Sequence, residues 1–140
     1  MKKAITALVG AVAALNPVAA LAASATPKKH VTTTTKTVSG PQAQASRWGY
    51  VQVTLVVKKT TTTIGTKKKV TRKITKVSVP VYPNHTDRSV FINQQAVPML
   101  IQEEMTAQFS GNLQLIGGAT DTSYAFGNSL QAALLQAKKV

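Results

Sequence analysis

Cysteine is absent from the 140-residue chain, which excludes both a disulfide scaffold and a thiolate metal centre and leaves stability to packing. The two histidines, His30 and His85, lie far apart among polar residues with no carboxylate at metal-ligand spacing. No metal site is expected. Acidic residues are nearly as scarce, with 4 against 17 lysines and arginines. All of them, Asp87, Glu103, Glu104 and Asp121, fall late in the chain, whereas residues 28–76 hold twelve basic residues and no acid. A surface of that kind attracts an anionic partner such as nucleic acid, phosphate-rich wall polymer or lipid head groups, or is simply well solvated. Glu103 and Glu104 do not make a catalytic pair, because neighbours on a helix point about 100° apart. They are expected to solvate the helix that carries them. No nucleophile, acid or base constellation is visible, so catalytic residues are not expected.

Taken in order, Met1-Lys2-Lys3, the apolar stretch Ala4 to Leu15 and the small-residue pattern Ala20-Leu21-Ala22 form the three parts of a secretory signal peptide over 1–23. The mature protein is therefore expected outside the cytoplasm, secreted, periplasmic or associated with the cell envelope. Export argues against nucleic acid as the partner of the basic half. Residues 24–46 are rich in Thr, Lys, Ser and Gln with almost nothing large to bury, and read as a flexible basic tether. A single domain is expected over 47–140.

Within that domain Val51, Val53, Leu55 and Val57 alternate with Gln52, Thr54, Val56 and Lys58, the period of a strand with one buried face. A second alternation runs through Val70 to Val79, and the basic region Lys59 to Lys69, with Gly65, reads as a long hairpin loop between them. Asn93 is placed to cap a helix over about 94–108, with Pro98 near its first turn, where a missing N–H costs little. Phe126, Leu130, Ala133, Leu134 and Ala137 share the face of a second helix over about 123–138. The fold class is α+β: a small twisted antiparallel sheet with two helices packed on one face.

The connection into the second helix carries the candidate site. Gly117, Gly118, Ala119, Thr120, Asp121, Thr122 and Ser123 join a short apolar run to the helix, with Thr122 or Ser123 as its cap. Main-chain N–H groups at such a helix end carry partial positive charge and favour a phosphate. Glycines allow close backbone approach, and threonines bring hydroxyls to the same place.

From Arg47 onward the chain resembles the small exported FMN-binding domain found alone and within periplasmic subunits of sodium-pumping and ferredoxin-linked membrane redox complexes. The resemblance rests on Arg47-Trp48-Gly49-Tyr50-Val51-Gln52-Val53, Tyr82-Pro83, Arg88-Ser89, Ile92-Asn93-Gln94-Gln95-Ala96, Leu100, Glu103, Gly118-Ala119-Thr120-x-Thr122-Ser123, where x is the variable position held by Asp121, and Ser129-Leu130-Gln131-Ala132-Ala133-Leu134. It implies an FMN cofactor held by Gly117, Gly118, Ala119, Thr120, Thr122 and Ser123, with Thr120 as acceptor when a separate flavin transferase makes the bond covalent. It also implies an electron carrier served by a membrane electron donor rather than a stand-alone catalyst. Two positions depart from the covalent pattern: Gly117 stands where serine is usual and Gln114 where aspartate is usual. A different class of function fits the basic half, a non-enzymatic envelope protein holding anionic wall polymer or lipid. Trp48 and Tyr82 are aromatics that either stack on a flavin or belong to the core.

Overall fold

A computed structural model describes residues 26–140; the expected signal peptide lies outside them. The described residues form two compact units, one of residues 26–31 with 62–69 and the other of 32–61 with 70–140.

The architecture is α+β: an open antiparallel sheet of four strands with two helices. Strand β1 is Lys29–Ser39, β2 Ala43–Gln44, β3 Tyr50–Ile64 and β4 Lys67–Val81; helix α1 is Asp87–Ala107 and α2 Thr120–Ala137. β3 is the hub, pairing with β1, β2 and β4. Its register against β2 sets Ala43 opposite Val51 and Gln44 opposite Tyr50.

The period-two reading of β3 holds residue by residue: Val51, Val53, Leu55 and Val57 are fully buried. Against them, in one core, pack Ile74 and Val77 of β4, Leu100 of α1, and Phe126, Leu130 and Leu134 of α2. Burying a side chain of that size stabilises by about 1.5–3 kcal/mol, so this layer fixes where both helices lie.

Four expectations need correction. The tether is not a flexible linker throughout: Lys29–Ser39 form β1 and Ala43–Gln44 form β2. The residues of β1 are almost all exposed, so no apolar alternation betrays it, yet β-branched threonines suit extended backbone. The long hairpin loop shrinks to Gly65-Thr66, because the threonines before it continue β3. Gly65 has φ 60°, the positive value that a type II′ hairpin turn needs at its first position.

The third correction concerns α1. Thr86 caps it, not Asn93: the Thr86 hydroxyl accepts from the Ser89 N–H at 3.1 Å, and the Ser89 hydroxyl accepts from the Thr86 N–H at 3.2 Å. This reciprocal capping box satisfies two orphan groups at once. Asn93 therefore lies inside the helix, and Pro98 lies near its middle, where it removes one main-chain hydrogen bond.

The fourth concerns Glu104, which is fully buried rather than solvated, with neither carboxylate oxygen hydrogen-bonded in the described structure. It lies four residues beyond Leu100, on the face that enters the core. Burial pushes its carboxyl up to about 8 from 4.5, so the neutral acid is the favoured form at pH 7.

Two local devices complete the sheet. The Ser129 hydroxyl of α2 accepts from the Val53 N–H at 2.9 Å, filling a ladder position on β3. Gly40, whose N–H donates to the Val53 carbonyl at 2.9 Å, must be glycine here, since a Cβ would collide with the Ser129 carbonyl and lie 2.7 Å from its hydroxyl. On β4, the Gln108 amide accepts from Ile74 N–H at 2.8 Å and donates to Ile74 C=O at 3.1 Å. A side-chain amide thus stands in for a neighbouring strand.

Candidate functional site

The Gly-Gly turn ends one residue before α2, which starts at Thr120 rather than at residue 123. Neither Thr122 nor Ser123 is its cap; the cap position is Ala119, and no side chain bonds the first turn. The leading N–H groups of an α-helix have no intrahelical partner. Here they also have no capping oxygen, so they remain available to a ligand.

Ser123 has a different task. Its hydroxyl donates to the Ala119 carbonyl at 2.8 Å and accepts from the Ile116 N–H at 3.0 Å. Buried under the turn, it clamps the loop to the helix and does not line the cleft outside. Gly118 has φ 81°, which L side chains rarely adopt, so the turn itself requires glycine there. Gly117 is exposed, and a Cβ on it would meet nothing within 4 Å. It keeps the approach to the turn open without being demanded by the backbone.

In front of this turn lies a cleft of about 250 Å³. One wall is Gly118 to Thr122; the others are Trp48, which ends the short helical turn before β3, and Arg88, Ser89, Ile92 and Asn93 of α1. Thr120 is exposed at the head of the helix, whereas Thr122 is buried. Of the six residues expected to hold a cofactor, Gly118, Ala119, Thr120 and Thr122 line this cleft. Gly117 lines the adjoining space of about 400 Å³, and Ser123 lines neither.

That second space is continuous in its lining with the first through Arg88, Ile92, Gly118 and Ala119, and adds the apolar groups of Phe91, Met99 and Ile116. Phe91 and Met99 are 63% and 53% exposed, so this apolar shelf has no covering within the described chain. The two spaces together offer an anion-favouring end and an apolar end.

Asn93 gives the cleft a further polar feature. It is 2% exposed, and its amide nitrogen donates to the Pro83 carbonyl at 2.9 Å. That bond fixes the other amide atom, Oδ1, as an acceptor, and Oδ1 has no partner. A buried acceptor left unmet costs about 1–3 kcal/mol, and a ligand hydroxyl or N–H would remove the cost.

Electrostatics in the cleft are mixed. Arg88 brings a positive charge, and Asp121 of the first turn of α2 a negative one, both exposed. The Arg47 guanidinium stacks 4.8 Å from the Trp48 ring centre, although Arg47 itself does not line the cleft. Tyr82 does not line the cleft.

Sequence reasoning from spacing found the glycine turn but not its partners. Trp48, Arg88 and Ile92 entered only through stretches carrying the family resemblance, and Asn93 otherwise only as an expected helix cap. Every residue lining the first cleft belongs to one of those stretches, including Asp121 at the motif's variable position. No protein-family model matches the chain, and a search of curated proteins finds no significant relative.

Proposed function

We propose that the protein is an exported FMN-binding electron carrier whose cofactor occupies the cleft before α2. The observation that carries this reading is the uncapped N-terminus of α2, with the Thr120 hydroxyl at its head and Arg88 across the same cleft. A phosphate monoester fits that end: N–H groups and the guanidinium favour its charge, and they offset the opposing carboxylate of Asp121.

The remaining features suit the rest of the cofactor. Asn93 Oδ1 accepts a hydrogen bond from a ribityl hydroxyl or a ring N–H. Phe91, Ile92, Met99 and Ile116 supply apolar surface for a fused ring system, and Trp48 supplies an aromatic wall. When bound, FMN supplies one- or two-electron transfer; the protein positions it and tunes its surroundings. Thr120 is the acceptor for a phosphodiester installed by a flavin transferase. The threonine oxygen bonds the flavin's phosphorus as the pyrophosphate bond of a flavin dinucleotide donor breaks, the hydroxyl proton is lost and a nucleoside monophosphate leaves, so the product is one FMN heavier, less one water.

The test is expression in an exporting host with and without a flavin transferase, followed by intact mass and a visible spectrum of the unfolded chain. Covalent loading gives the added mass and a yellow denatured protein, and Thr120→Val abolishes both. Non-covalent binding gives a native flavin spectrum that is lost on unfolding. A chain that stays unmodified and fails to take up added FMN rules out the proposal.

A further inference from the structure

The compact unit of residues 26–31 and 62–69 carries none of the cleft, yet its surface is specialised. Within it lie Lys28, Lys29, Lys67, Lys68 and Lys69, all exposed, and no acidic residue. Pro27 brings the first pair to the hairpin turn, since a Cβ on Gly65 would sit 3.4 Å from the Pro27 ring. Two aliphatic side chains share this surface: Val31 is 51% exposed and Ile64, immediately before the turn, 44%.

Lysines alone would suit any polyanion or no partner at all. The exposed aliphatics narrow the choice. A soluble phosphate polymer offers charge but little apolar surface, whereas a bilayer interface offers both: anionic head groups for ammonium groups and acyl chains beneath for branched carbons. Lysine suits that boundary because its methylene stem lies against apolar groups while its charge reaches the head groups.

We propose that this hairpin unit docks on an anionic lipid bilayer, with the lysines at the head groups and Ile64 and Val31 entering the interface. The proposal is independent of the flavin reading, because none of these residues lines the cleft. Binding is reversible and weakens as salt screens the lysines.

The experiment is co-sedimentation of the purified protein with phosphatidylcholine vesicles, with and without phosphatidylglycerol, over a range of salt. Binding to the anionic vesicles only is expected at low salt. Each of Lys67→Gln, Lys68→Gln and Lys69→Gln lowers the affinity roughly fivefold. Ile64→Ser lowers it by up to roughly tenfold while leaving the salt dependence unchanged. All four positions are exposed, and an unchanged melting temperature verifies that each variant folds. The proposal is overturned if the protein ignores anionic vesicles at low salt. It is equally overturned if Ile64→Ser has no effect while soluble polyphosphate competes fully, which would mean attraction to polyanions in general.

Discussion

The two helices are finished in opposite ways. α1 is closed at its start by the Thr86 and Ser89 capping box, but its interior holds Pro98 and the unpartnered carboxyl of Glu104. α2 is open at its start, with Ala119 at the cap position, while its buried Ser129 is hydrogen-bonded to β3. A helix end is easily satisfied from within the chain, as α1 demonstrates, so the open end of α2 marks where an outside acceptor fits. The orphan groups inside α1 are of two kinds. Asn93 Oδ1 belongs to a residue of the cleft wall, where a ligand can meet it. Glu104 does not line the cleft.

The largest effect expected from this contrast is at Glu104. Its carboxyl binds a proton more tightly folded, at about 8, than at its ordinary 4.5. The folded state therefore holds a proton that the unfolded state has released, and stability falls as pH rises through that window. The slope approaches about 1.4 kcal/mol per pH unit, levelling off above the folded value. Urea denaturation between pH 5 and 9, a range of about four units around that window, measures it. Glu104→Gln removes most of the slope; an equal slope in the variant would show that another group is responsible.

Closing α2 in the manner of α1 sharpens the comparison from the other side. Ala119→Asp places a carboxylate at the open cap; Ala119 is only 5% exposed, so the capping gain of about 1 kcal/mol is set against the cost of burying the carboxylate, and the stability of the ligand-free protein should change little. The substitution should weaken FMN binding at least roughly tenfold, because the new carboxylate competes with phosphate for the same N–H groups. Flavin fluorescence titration reads this effect. A folded variant with unchanged affinity would show that the phosphate does not sit at this helix end.

Opening α1 is the milder counterpart. Thr86→Ala breaks the capping box and should cost about 1 kcal/mol of stability, read from the denaturation midpoint. Flavin affinity should hardly move, since Thr86 lies outside the cleft lining.

How much of this was legible depends on what each residue faces. β3 could be read directly, because one face of Val51 to Val57 is buried and the other is not. β1 could not, since nearly all of it is exposed and apolar alternation had nothing to record. The start of α1 was misplaced because its capping box uses Ser89 where glutamate or glutamine is the familiar partner. Glu104 was misread beside Glu103, although the row Ala96, Leu100 and Glu104 follows the spacing of a buried face. The glycine turn announced itself through composition. Its opposing wall did not, because no spacing rule brings Trp48, Arg88 and Asn93 to residues 118–122.

The hydroxyl of Ser129 in the ladder of β3 has a consequence for the order of assembly. It joins residues 76 positions apart, and the Gln136 amide reaches the Ser39 carbonyl across 97. Contacts of such separation form late, after most of the loop entropy has been spent. Strands made early in synthesis therefore wait, with an unfilled position on their central member, for the last helix to arrive. A released chain ended before residue 129 should remain sensitive to protease, and extension through Ala137, the end of α2, should make it resistant in a single step.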